Sequence, residues 1–421
     1  MKWRDWDRNL KIRLFGEGTM NILFWSFFPF MTIFFERSFG KDYAGLLLVL
    51  SQAFSVMASL IGGYCADRFG RKKMMVYAAL GECASFVLFA LANSPWIDSP
   101  VMTFIAFSLL GVFGALYWPA SHAMVADVVP EKHRADVFAV FYTSINIAVV
   151  IGPILGSVLF YTYRFEMLIS GVVLTALLAW LLAHFLDETT TIKERVKEKG
   201  KGPITVIWDE LKDYRVIARD KTFLLFIIAG ILVAQTFMQL DLLIAVYTSE
   251  VVQNQNLLTI GDWSLTLNGE RAFGLVLAEN GLLVALFTVA VTKWMNRFKE
   301  KRVFIFSSLL YAIGITLYGL TDSIWVFILA MALFTFAELM VVGIQESFIS
   351  KIAPEDMRGQ YFSTASLRFT LGRLLAPISL IISNYTSYTV TFAILGVLAV
   401  SSAFVYGWMF TKMEAKQVIE E

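Results

Sequence analysis

The chain has 421 residues, 57% of them hydrophobic and only 16% charged, with a mean hydropathy of +0.66. A soluble protein of this size is excluded, because it would need more charge to cover its surface, and the long apolar runs exclude the short alternating segments of a membrane barrel. A net charge of +1 gives no pull towards nucleic acid, and two cysteines in or beside apolar runs imply no disulfide framework.

In chain order, residues 1–13 are polar and basic, with Trp3, Trp6 and Leu10 on one helical stripe. They predict a segment lying in the membrane interface rather than a cleavable leader. The first span is expected over 14–35, with Glu17 one turn inside it, facing either an inner vestibule or the headgroups. Spans 2 and 3, about 44–66 and 74–91, flank a charged turn that holds Gly63, Asp67, Arg68, Gly70, Arg71, Lys72 and Lys73. Spans 4, 5 and 6 follow at about 101–125, 137–161 and 165–185, with Asp127 opening the turn between spans 4 and 5. Residues 187–220 are hydrophilic, and the spacing of Ile204, Ile207, Trp208 and Leu211 predicts a short interfacial helix within them. This linker separates 1–186 from 221–421. In the second half, spans are expected at about 223–246, 272–294, 303–320, 324–349, 361–383 and 389–410, with a polar outer loop over 250–270.

Twelve spans place both termini on the same side. With that side inside, the inner segments hold 29 of the 35 Lys and Arg and the outer loops only four. Basic loops resist translocation, so both termini are expected in the cytoplasm. The halves also repeat. Pro130, Glu131 and Arg134 align with Pro354, Glu355 and Arg358 at a shift of 224, and the same shift carries Pro153 onto Pro377. The expected fold class is therefore all-α integral membrane, with twelve transmembrane helices in two pseudo-symmetric six-helix bundles.

No phosphate-binding loop and no metal-ligand spacing of His or Cys is present, so neither an enzyme nor a cofactor is expected. The informative residues are ionisable groups inside spans, which are expected to face away from lipid because a central charge costs about 2.5–3.5 kcal/mol on insertion scales. Glu338 lies at the middle of span 10, where it can take up a proton in the dry state and release it on rehydration, and Glu346 lies two turns further on. Arg368 and Arg373 in span 11 reach depths that allow a pair with Glu338, either a fixed structural lock or one that responds to protonation. Asp241, with Gln235 and Gln239 on the Met-bearing span 7, makes a cation site or an acid reaching the outer interface. Glu279, Asn280, Asn146 and His122 are weaker candidates.

The stretch from Gly63 through Ala66-Asp67-Arg68 to Gly70-Arg71-Lys72 resembles the signature between helices 2 and 3 of the major facilitator superfamily of secondary transporters, with Cys65 where leucine is usual. Gly152-Pro153-Ile154-Leu155-Gly156 resembles the span-5 signature of its drug–proton antiporter branch, although Ala148 stands at a common glycine position and Phe107 to Leu110 offer no span-4 arginine. Within that branch the chain is similar to proton–multidrug antiporters in Met238-Gln239, Asp241 and Glu338. The resemblance implies a substrate site near the midplane between the halves, roles for Glu338 and Asp241 in cation recognition and proton coupling, and a conformational latch at Asp67. It implies proton-driven export of amphipathic, cationic drugs by alternating access, hence antibiotic resistance. The expected setting is a monomer among the lipids of a bacterial plasma membrane, with small-molecule substrates and protons as partners and no nucleic acid. Transport of one defined solute, such as a sugar, an amino acid or a lipid, is the alternative within the same fold.

Overall fold

The structure is a computed structural model, and it describes residues 4, 6–189, 220–260, 263–353 and 358–420. Most of the expected 187–220 linker, with its interfacial helix, lies outside them. The described helices are α1 (Arg8–Phe39), α2 (Lys41–Phe69), α3 (Arg71–Ala92), α4 (Pro100–Val128), α5 (Glu131–Thr162), α6 (Arg164–Phe185), α7 (Lys221–Phe237), α8 (Leu243–Val251), α9 (Gly269–Met295), α10 (Glu300–Tyr318), α11 (Ile324–Ile352), α12 (Arg358–Leu375), α13 (Ile378–Tyr385) and α14 (Tyr388–Glu420). Twelve helical stretches among the described residues are long and apolar enough to cross a membrane, with α7–α8 and α12–α13 each counted as one. In hydrocarbon the backbone has no other donor or acceptor, so these apolar runs close their own hydrogen bonds as helices.

Helix ends are set by short polar signals. Ser99 accepts from the Met102 amide at 3.3 Å before α4, with Pro100 at the first helical position. Asp220 accepts from the Thr222 and Phe223 amides at 3.0 and 3.1 Å before α7. Between α2 and α3 the chain turns at Gly70, whose φ of 105° is in the region that glycine alone adopts freely.

The chain divides into two compact units, Met1–Phe28 with Leu47–Asp209, and Pro29–Leu46 with Glu210–Glu421. The first packs Met75, Ala78, Tyr117, Met124, Leu178 and Leu182 into one core. The second is built on aromatics, with Phe226, Phe304, Phe348, Tyr406 and Phe410 in one cluster and Phe304 to Tyr406 centroids 4.8 Å apart. Phe54, Val173, Leu286, Val289 and Phe404 point outwards, a surface suited to lipid.

Four features depart from the sequence reading. Trp6 and Leu10 are buried against Val125, Val129 and Val137, so these two members of the N-terminal stripe pack on protein instead of lying in the interface, and Trp3 lies outside the described residues. The loop over 250–270 contains an antiparallel hairpin, β1 (Gln255–Ile260) and β2 (Trp263–Leu267), with Ile260 opposite Trp263. The seventh span is interrupted by a 3-10 turn, Met238–Asp241, and the eleventh breaks at Ala376-Pro377. Proline removes a backbone donor and clashes with the preceding turn, which accounts for the second break. Its repeat partner Pro153 is carried inside a continuous α5, so the two halves differ at their shared proline.

Candidate functional site

In the second unit, Glu338 sits half-buried at the centre of α11. Asn280 of α9 donates from Nδ2 to Glu338 Oε2 at 3.1 Å and to Thr335 Oγ1 at 3.0 Å. Thr335 precedes Glu338 by three residues, so both lie on the face of α11 that meets α9. The described contacts thus give Glu338 an amide where the sequence allowed an arginine. Arg368 is buried, donates from Nε to the Ala365 carbonyl at 2.8 Å, and lies 4.3 Å from the centre of the Phe226 ring. It also fills the space beside Gly230, where a Cβ would stand 2.7 Å from Arg368 Cγ. The expected pairing of Glu338 with Arg368 or Arg373 is corrected on this point: Arg368 is held by a carbonyl and an aromatic face, and Arg373 is exposed.

The break in the seventh span is filled by polar side chains. Gln239 Nε2 donates to the carbonyls of Gln235 at 3.0 Å and Ala376 at 3.2 Å, while its Oε1 accepts from Ser379 Oγ at 2.7 Å. One amide therefore serves both interrupted spans. Thr32 Oγ1 donates to the Asp241 carbonyl at 2.7 Å, replacing a helical partner at the break. The Asp241 carboxylate is half-buried and attracted to Arg373. Gln235 Nε2 is buried without a hydrogen-bond partner among the described residues, as is Glu279 Oε2 on α9.

The first unit holds a second ionisable cluster. Arg13 and Glu17, only 1% and 5% exposed, form an ion pair with Nε to Oε1 at 2.8 Å. Glu17 Oε1 also accepts from Tyr117 at 2.9 Å and Ser121 at 3.0 Å, and Ser121 contacts Arg13 Nη2. The sequence placed Glu17 one turn into span 1, beside the vestibule or the headgroups. Instead α1 begins at Arg8 and the acid is buried against α4. Glu82 of α3 lies within electrostatic reach of Glu17. Sequence reasoning passed over Glu82, although an acid midway through an apolar span was signal enough to find it. His122 is exposed, edge-on to Trp118 and Phe138.

Of the expected switch residues, Gly70 precedes α3, and Arg71 Nε stands 3.5 Å from Asp127 Oδ2. Glu188 Oε1, beyond α6, accepts from the Arg71 amide at 2.8 Å and the Lys72 amide at 3.4 Å, and Thr189 Oγ1 donates to Asp127 Oδ2 at 2.7 Å. These contacts tie α3, α4 and the tail of α6 together. Gly152 lets α5 approach α1, since a Cβ there would stand 2.8 Å from the Trp25 carbonyl carbon. Pro153 and Gly156 follow inside α5. Gly63, Asp67 and Arg68 lie in α2 and Glu346 in α11, but their side chains are outside the described ones.

Comparison with known proteins places the chain among transporters. The family model described as Major Facilitator Superfamily matches residues 14–261 and 256–420. The chain is similar to a "Na(+), Li(+), K(+)/H(+) antiporter" of Planococcus maritimus, 55% identical over 99% of both chains. It is also similar to the multidrug resistance protein MdtH of Yersinia enterocolitica, 25% identical over 84% of this chain and 80% of that one. Among solved structures, the fold matches a POT family transporter in complex with 5-aminolevulinic acid, with a TM-score of 0.77, 17% identity and 96% of each chain covered.

Proposed function

Because this chain belongs to the major facilitator superfamily, and so is a membrane transporter and not an enzyme, we propose that it exchanges protons for monovalent alkali cations, with Glu338 as the group for which they compete. The observation that carries this reading is the polar setting of Glu338 at the centre of a span, where the Asn280 amide bonds both its carboxyl and the Thr335 hydroxyl. Support comes from the antiporter of Planococcus maritimus, whose named ions are Na+, Li+ and K+.

Hard cations take oxygen ligands. A deprotonated Glu338 supplies a carboxylate, Thr335 a hydroxyl oxygen, and Asn280 an amide whose oxygen and nitrogen ends can exchange places. When Glu338 is protonated, the charge that holds the cation is gone. One carboxyl then binds a proton or a cation, never both, which is sufficient for obligatory exchange if the unloaded carboxylate does not cross. An apolar span raises the cost of that uncompensated charge. Asp241, close to the break in the seventh span, attracts cations towards the unit, but Arg373 competes for it. We therefore rank it below Glu338.

A second reading, export of amphipathic cations, is favoured by the similarity to MdtH and by the Met238-Gln239 and Asp241 motif. One experiment separates the two. Proteoliposomes loaded with a pH-reporting dye are given a proton gradient, then Na+, Li+, K+ or ethidium outside. Alkali-cation-driven proton movement in wild type, lost in Glu338→Gln, supports exchange at Glu338. Movement with ethidium alone supports drug export, and unchanged alkali-cation exchange in Glu338→Gln removes that residue from the mechanism.

A further inference from the structure

We infer that Glu17 and Glu82 form a second proton-carrying site in the first unit, distinct from Glu338. The inference deepens the exchange reading and rests on it for the coupling it assigns: a proton moves each cycle in addition to the one that competes with the cation.

The first observation is the lopsided bonding of Glu17. Its Oε1 takes three donors, from Arg13, Tyr117 and Ser121. Its Oε2 is buried and has no hydrogen-bond partner among the described residues, and Arg13 Nη1 is likewise without one. A purely structural ion pair accounts for Oε1. It does not account for an acceptor withheld from both water and protein, since leaving such a group unmet costs about 1–3 kcal/mol. Oε2 is thus the oxygen at which Glu17 takes up a proton without breaking a hydrogen bond, and a deprotonated Glu82 then supplies the negative charge that Arg13 needs.

The second observation is the place of Glu82. Its Oε1 lies 3.5 Å from the position a Cβ would take on Gly114 of α4, an ordinary van der Waals contact that sets the carboxyl against this turn of α4. Tyr117 and Ser121 lie on the same face of α4 as Gly114, three and seven residues on. Gly114 and Tyr117 are separated by about 4.5 Å along the axis. The two carboxyls therefore line one ridge of α4, with Tyr117 within electrostatic reach of both. Among the described residues, the titratable and charged groups within electrostatic reach of Glu17 are Arg13 from α1, Glu82 from α3, and Tyr117 and His122 from α4.

Arg13 compensates one negative charge, not two. With Glu17 ionised against Arg13, Glu82 is the carboxyl that keeps its proton. Transfer moves that proton from Glu82 to Glu17 Oε2, leaving one acid and one carboxylate, as before. Protonated Glu17 releases its hold on Arg13, while the new carboxylate on Glu82 attracts the next proton. The site holds no alkali cation, because Arg13 occupies the cationic position.

The test measures charge moved per cation exchanged, using currents on solid-supported membranes together with radiolabelled Na+ flux. Wild type is expected to move net charge with each Na+, and Glu82→Gln is expected to lower the ratio by one proton per cycle, whatever its rate. An unchanged ratio in Glu82→Gln overturns the inference. Because that variant could fail to turn over, a second measurement needs no transport: infrared titration of the purified protein in detergent. A protonated-carboxyl band present in wild type and in Glu338→Gln, but lost in Glu82→Gln, supports the site. The same band in wild type and Glu82→Gln overturns it. Absence of Na+ flux in wild type would instead overturn the exchange reading, and the infrared result would still decide the carboxyl site.

Discussion

Asn280 and Glu338 are joined by a single hydrogen bond of 3.1 Å across the α9–α11 contact, and Asn280 uses the same nitrogen to reach Thr335. The amide therefore positions the one carboxyl that the chain places at the centre of its tenth span. Replacing it with leucine removes a bond to a charged group, worth about 1.5–3 kcal/mol. That corresponds to roughly a tenfold to hundredfold loss of apparent cation affinity. The check is the Na+ dependence of proton movement in proteoliposomes, where Asn280→Leu should raise the half-saturating Na+ concentration and Asn280→Gln should recover part of the loss. Equal half-saturation in wild type and Asn280→Leu would detach Asn280 from the site.

The Arg13–Glu17 pair predicts a different kind of asymmetry. Both side chains are almost wholly buried, so removing one leaves the other uncompensated, at a cost of about 3–5 kcal/mol. Arg13→Met should lower the thermal unfolding midpoint strongly. The double variant Arg13→Met with Glu17→Gln should recover much of the loss. Fluorescence-monitored melting in detergent reads this, and additive losses in the double variant would contradict it.

Gly152→Ala should loosen the contact of α5 with α1. The added carbon meets the main chain and Cβ of Trp25, which cannot rotate away as a flexible side chain could. Overpacking of this kind costs about 1–3 kcal/mol. The expected outcome is a lowered melting midpoint, with Gly407→Ala, whose added carbon meets Ile305 Cδ1 at an ordinary 3.6 Å, as the milder comparison.

Gln239→Leu should destabilise the second unit at both interrupted spans together. The substitution strips hydrogen bonds from the carbonyl of Ala376 and from Ser379. Each buried group left unmet costs about 1–3 kcal/mol. Hydrogen exchange of the backbone around residues 235–242 and 374–380 should speed up in both segments. Acceleration in only one would show that the breaks are independent.

The twelve spans and the polar character of their few acids were legible in the sequence. Length and hydropathy suffice for that, because a bilayer forces every crossing segment to satisfy its own backbone. Glu338, Asp241, Gln239 and Glu17 stood out for the same reason: a polar group in an apolar run is costly, so its presence is informative. The hairpin was also within reach, since Gly261-Asp262 between two short apolar–polar runs is a hairpin signal.

Partner choice was decided only by the tertiary structure. Rise per residue put Arg368 at a depth near Glu338, but rotation about the helix axis, which depth does not contain, turned Arg368 onto Phe226 and gave Glu338 to Asn280. The interruption at Met238–Asp241 carries no Pro or Gly. It exists because Thr32 and Gln239, the first far away in the chain, supply the hydrogen bonds that a helix would otherwise make. The bond from Tyr117 to Glu17 likewise joins residues a hundred positions apart. A sequence read alone fixes which residues must avoid lipid, since that cost is local. It leaves open which residue meets which, because that is settled by how the helices pack.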